Sequence, residues 1–186
     1  QSTTTTYSGH ISDNGTRVFS IAKDGSGSLT LDFANTYTGG TTLNAGTLVL
    51  GDAAAVGTGA ITLAGGTLEV AADIGNDISA TGSSTIVNNT GTLSLSNDGS
   101  VTGTGTLAFS VANETRFFSD LSGFSGTVSH DNDTGGQLRL WNQVEDLSGT
   151  KIVTSGGTSN GGLQFIGNNN HTIGELSVTG GIIKMR

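Results

Sequence analysis

The chain has 186 residues with 31 glycines, no proline and no cysteine, and seven Lys plus Arg against fifteen Asp plus Glu give a formal net charge of −8. Disulfides and thiolate metal sites are thereby excluded, and the charge has the wrong sign for neutralising nucleic-acid phosphates. No stretch approaches the roughly 20 apolar residues of a membrane span, so no membrane insertion is expected.

In chain order, Gln1-Ser2-Thr3-Thr4-Thr5-Thr6 reads as a linker-like polar tail and residues 7–186 as one domain. The first repeated unit is Gly27-Ser28-Leu29-Thr30-Leu31, followed by Gly46-Thr47-Leu48-Val49-Leu50 and Gly66-Thr67-Leu68-Glu69-Val70. Further copies stand at Gly91-Thr92-Leu93-Ser94-Leu95 and Gly105-Thr106-Leu107-Ala108-Phe109, with weaker ones at Gly126, Gly136 and Gly149. Intermediate copies such as Gly59-Ala60-Ile61-Thr62-Leu63 fall between them.

Within a unit the two apolar residues are two apart and face one way, while the residue between faces the other. Strands of three to five residues cannot bury such a face alone, but coils stacked about 4.8 Å apart share one core. The pattern predicts an all-β, right-handed parallel β-helix with coils of about 19–25 residues. Ten residues are predicted to be buried, namely Leu48, Leu50, Leu68, Val70, Leu93, Leu95, Leu107, Phe109, Leu138 and Leu140. Proline would remove a donor from a strand paired on both sides, so its absence fits. An antiparallel sandwich or an up-and-down barrel competes, and a local hairpin at Asp24-Gly25 is compatible with that pair of residues.

The segment Asn35-Thr36-Tyr37-Thr38-Gly39-Gly40-Thr41-Thr42-Leu43-Asn44-Ala45-Gly46-Thr47-Leu48-Val49-Leu50-Gly51 resembles the autotransporter-associated β-strand repeat. Leu121-Ser122-Gly123-Phe124-Ser125-Gly126-Thr127-Val128 is similar to a degenerate piece of it. The resemblance implies the β-helical passenger architecture of bacterial surface proteins, and hence a secreted or cell-surface location. In architecture the chain also resembles β-helical carbohydrate-binding modules attached to bacterial polysaccharide-degrading enzymes. That likeness implies a non-catalytic module of a longer chain, holding a plant β-glycan such as xylan. The alternative is a stalk or adhesin segment of an autotransporter-like surface protein. An ice-binding solenoid ranks last, because the threonine positions vary between coils.

The candidate site follows from parity. Leu138 and Leu140 claim the interior, which sends Gln137, Arg139 and Trp141 outward, with Trp141 exposed. Offsets of 23 and 25 residues then stack Phe118, Trp141 and Ile166 in one column, with Arg116, Arg139 and Gln164 beside it. An apolar column edged by hydrogen-bonding groups suits a polysaccharide, so Trp141, Arg139, Gln137, Phe118, Arg116 and Gln164 are the candidate ligand-binding residues. Loops 142–149 and 154–161 are the segments that would otherwise cover Trp141. Most other aromatics are assigned to the core, Phe109 and Phe165 from the apolar positions of their units and Phe33 and Phe124 beside turns, and Tyr37 to a structural corner.

No catalytic residues are assigned. β-Helical pectate lyases and polygalacturonases resemble this architecture, but Asp120, Asp131, Asp133 and Asp146 form no pair one coil apart. His10, His130 and His171 lack metal-ligand spacing and read as surface residues. Asp131-Asn132-Asp133-Thr134-Gly135 resembles the opening of a calcium loop without its downstream glutamate, so a solvated turn is the simpler reading and no cofactor is expected.

Overall fold

In the computed structural model, residues 3–95, 99–111, 113–131, 136–141, 146–155, 162–166, 172–179 and 182–185 are described. The chain winds as a parallel solenoid. Its first coil carries β1 (Thr5–Tyr7) and β2 (Ile21–Lys23), and its second β3 (Ser28–Leu31) and β4 (Thr41–Leu43). There follow β5 (Thr47–Leu50), β6 (Ile61–Val70), β7 (Ile78–Asn88), β8 (Leu93–Leu95) and β9 (Val101–Gly103). The later coils carry β10 (Thr106–Val111), β11 (Glu114–Phe117), β12 (Thr127–Asp131), β13 (Gln137–Leu140), β14 (Asp146–Ser155), β15 (Gly162–Phe165), β16 (Thr172–Val178) and β17 (Ile182–Met185). Every strand pairing among them is parallel, in a twelve-stranded sheet and a five-stranded sheet β8-β11-β13-β15-β17. The ladder begins at Thr5, inside the polar opening segment, where β1 pairs with β3.

The repeated units stack as their parity requires. One inward column runs Leu29, Leu48, Leu68, Ile86, Phe109, His130 and Thr154, each the register partner of the next. Coil offsets range from 17 residues at Ile61↔Ile78 to 26 at Leu147↔Ile173. All ten residues predicted to be core are buried in one continuous apolar cluster. The units at Gly59 and Gly66 prove to be one strand, β6, which turns a corner where its register against β7 shifts between Leu63 and Gly65.

Side chains tie the corners together. Asn35, almost fully buried, accepts the Ile11 N–H at 2.6 Å and donates to the Ala55 carbonyl at 2.6 Å, so one amide links three successive coils. Tyr37 is fully buried with its hydroxyl 2.5 Å from Thr41 Oγ1, and burial pushes its phenol pKa up, partly offset by that hydrogen bond. The corner role assigned to Tyr37 is therefore correct.

Three expectations are overturned. At Asp24-Gly25 there is no hairpin, because β2 pairs with β4 and β3 pairs with β1 and β5, all parallel. The antiparallel turn lies instead at Asn14–Arg17, around Gly15, whose φ is 62°. Phe33 is not core; it lies just beyond the end of β3, is 46% exposed and tilts against His10 with centroids 5.5 Å apart. Conversely, His130 is not a surface residue but only 1% exposed. It follows Val128 by two residues in β12 and so shares its inward parity.

Candidate ligand-binding face

The outer face of β11, β13 and β15 is fixed by the leucines and phenylalanines that point inward from the same strands. Thr115, Phe117, Leu138, Leu140, Leu163 and Phe165 are buried, which leaves alternate residues to project outward. The register then aligns Arg116 with Arg139 and Arg139 with Gln164, at the offsets of 23 and 25 residues expected from the sequence. Beyond the strand ends, Trp141 N–H donates to the Phe117 carbonyl and Ile166 N–H to the Leu140 carbonyl, which carries Phe118, Trp141 and Ile166 up one column. The Phe118 and Trp141 rings are stacked, with centroids 5.0 Å apart and planes 29° from parallel.

Beside this column lies a polar network whose centre, Glu114, was not anticipated. Its carboxylate receives Arg116 through Nε and Nη2, and Arg139 through Nη1 at 2.9 Å. Arg139 also donates from Nε and Nη2 to Gln137 Oε1, at 3.2 and 2.9 Å. Gln164 Nε2 donates to the same oxygen at 3.0 Å. Glu114 lies two residues before Arg116 on the same strand, so the parity argument that found Arg116 also places Glu114 outward. The pull of opposite charge draws the two arginines onto it.

The structure thus brings all six candidate residues together, but with two differences of exposure. Trp141 is half-buried rather than exposed, its indole Nε1 is covered, and no acceptor meets that N–H. Gln164 has outward parity yet is only 2% exposed, with its Oε1 covered and unpaired. Arg116, by contrast, keeps 37% of its side chain in solvent, against 24% for Arg139 and 11% for Glu114. Residues 132–135, 142–145, 156–161 and 171 lie outside the described residues, and with them most of the suggested calcium loop, half of the suggested covering loop 142–149, most of the loop 154–161 and His171. The Asp146 and Asp133 side chains lie outside them too. Among the described residues, no three His, Asp or Glu side chains converge as a metal site.

A parallel solenoid of Gly-led strands, every coil laying one parallel rung on the last, is a repeat protein. Residues 21–50, from β2 through β5, match the Passenger-associated-transport-repeat family. Over 195 aligned residues the chain is 33% identical to a segment of the Adhesin BmaC autotransporter of Brucella suis biovar 1 (strain 1330). That alignment takes in 98% of this chain but 5% of the relative's length. No solved structure matches the chain significantly. The passenger-type repeat and the autotransporter relative place the chain at the bacterial cell surface or in the secreted fraction.

Proposed function

We propose that this chain is a non-catalytic, adhesive segment of a longer bacterial surface protein, presenting the outer faces of its solenoid to a partner. The observation that carries this reading is the end-to-end alignment with a small part of a much longer autotransporter adhesin. It favours the adhesin alternative over a xylan-binding module attached to a degradative enzyme, for which no relative speaks. The physical build agrees with a display role: stacked coils turn a short repeat into a long lateral surface, and strands paired on both sides are ordered before they dock, which lowers the entropy lost on binding.

The test is to display residues 1–186 on the surface of a non-adherent bacterium and count cells retained on epithelial monolayers and on immobilised polysaccharides. Retention several-fold above carriers displaying an unrelated solenoid is expected. Retention equal to that control would leave the segment a spacer and overturn the adhesive reading. A polysaccharide is the second candidate partner, favoured by the aromatic column of Phe118 and Trp141 beside hydrogen-bonding side chains.

A further inference from the structure

We propose that the outer face of β11, β13 and β15 binds an acidic saccharide, a sugar bearing a carboxylate, at Arg116 and the Phe118–Trp141 pair. The proposal deepens the adhesive reading and rests on it. A neutral sugar stacks on the open face of an aromatic ring, but here the ring faces are turned toward one another along the solenoid axis. What a stacked pair offers sideways is its edges, which carry the positive end of the ring quadrupole and favour oxygen atoms with negative charge.

The charges of the face agree with that. Two guanidinium groups meet one carboxylate, so the network is cationic in a chain of net charge −8. Arg139 is committed to Glu114 and Gln137, whereas Arg116 reaches Glu114 through Nε and Nη2 only. Its Nη1 hydrogens have no protein acceptor among the described residues, and the side chain is the most exposed of the three. A guanidinium with one free edge pairs with a carboxylate in the fixed fork that neutral hydroxyls cannot match.

Two buried groups on the same face lack partners of opposite kinds. Trp141 Nε1 is a donor without an acceptor, and Gln164 Oε1 an acceptor without a donor, although the rest of the Gln164 amide is anchored to Gln137. Both atoms are covered, so neither is a ligand contact, and recognition falls to the exposed Arg116 guanidinium beside the aromatic pair. A carboxylate for the open guanidinium edge, carried on a sugar ring that lies against the aromatic edges, is the chemistry that meets this face, as in a uronic-acid unit.

Trp141 is the chain's single tryptophan, so its emission reports on this face alone. Trigalacturonate and xylotriose are titrated into the intact chain while that emission is followed, with Arg116→Gln and Arg17→Gln measured alongside. The expected result is a saturable change with trigalacturonate that is absent with xylotriose. Affinity should fall about tenfold in Arg116→Gln, as loss of a charge-assisted contact implies, and hold in Arg17→Gln, which changes the net charge equally at the far end of the solenoid. Equal responses to both sugars, or equal losses in the two arginine variants, would overturn the proposal. No response to either sugar in a chain that still confers adhesion would overturn this site and leave the adhesive reading standing, whereas loss of both would remove the two together.

Discussion

The ammonium of Lys23 occupies the space where a side chain at position 46 would start, because a Cβ built on Gly46 would stand 2.6 Å from Lys23 Nζ. Lys23 is buried at the corner after β2 and donates to three carbonyls, those of Asp24 at 3.1 Å, Gly25 at 2.8 Å and Ala45 at 3.0 Å. Two coils are joined by one charge, and the glycine of the next coil must be bare for it to fit.

This corner gives the first prediction. Gly46 has φ of 72° and its Cβ would also run into the carbonyls of Gly25 and Gly27, so Gly46→Ala should destabilise the fold by on the order of 3 kcal/mol or more. Gly15 has a similar φ of 62° but open space around it, so Gly15→Ala should cost only the backbone strain, about 1 kcal/mol. Lys23→Met, which leaves the three carbonyls without their donor, should cost about 2–3 kcal/mol. Urea unfolding of the three variants measures all of these, and equal losses for the two glycines would contradict the steric argument.

The second prediction concerns the central core. Leu93 is fully buried in β8, and Leu93→Ala should cost about 2–5 kcal/mol through lost transfer energy and the cavity left behind. Circular dichroism of the parent chain should show β structure without helix, as the strand inventory requires.

Parity made most of this molecule legible. The Gly-led units declare which residues face inward, and the same alternation put Arg116, Arg139, Gln137 and Trp141 outside and aligned them across coils at the right offsets. It could not give the exposure of an outward residue, which depends on how far its neighbours in adjoining coils lean over it; Gln164 is sealed while Arg116 stays in solvent. Residue type misled where the position prevailed: His130 is polar but sits on an inward site between Phe109 and Thr154, and Phe33 is apolar but lies past the last inward site of its strand. Lys23 was missed because only coil stacking reveals the carbonyls that gather around it.

The half-burial of Trp141 carries the third prediction. Had the ring been fully exposed, its removal would leave stability unchanged; stacked on Phe118 at 5.0 Å it contributes both area and ring geometry. Trp141→Ala should therefore cost about 1–3 kcal/mol, and Trp141→Phe well under half of that. Thermal unfolding followed at 218 nm, a wavelength chosen only as roughly the β-sheet minimum, distinguishes them. Identical midpoints for Trp141→Ala and the parent chain would show that the stack does not stabilise the fold.

Acid should unfold the solenoid through aspartates that clamp successive coils. Asp77 accepts the Ser100 N–H at 2.7 Å and the Ser100 hydroxyl at 2.9 Å, and these bonds, the backbone one foremost, hold its pKa below the usual value of 3.8. Asp13 is lowered in the same way, first by the Phe19 N–H at 2.9 Å and then by the Thr38 hydroxyl at 2.7 Å. A carboxylate whose folded pKa is depressed binds fewer protons folded than unfolded near its titration. Its contribution is then complete above the unfolded pKa of about 4 and disappears as pH falls through the lower folded value. In Asp13→Asn and Asp77→Asn the clamp no longer titrates, so both variants should be less stable than the parent at neutral pH. They should also lose less stability than the parent on moving from about pH 5 to about pH 2.5. Urea midpoints at the two pH values give the slope directly, and a parent chain whose midpoint is lost no more steeply than those of the two variants would show that these carboxylates do not clamp the coils.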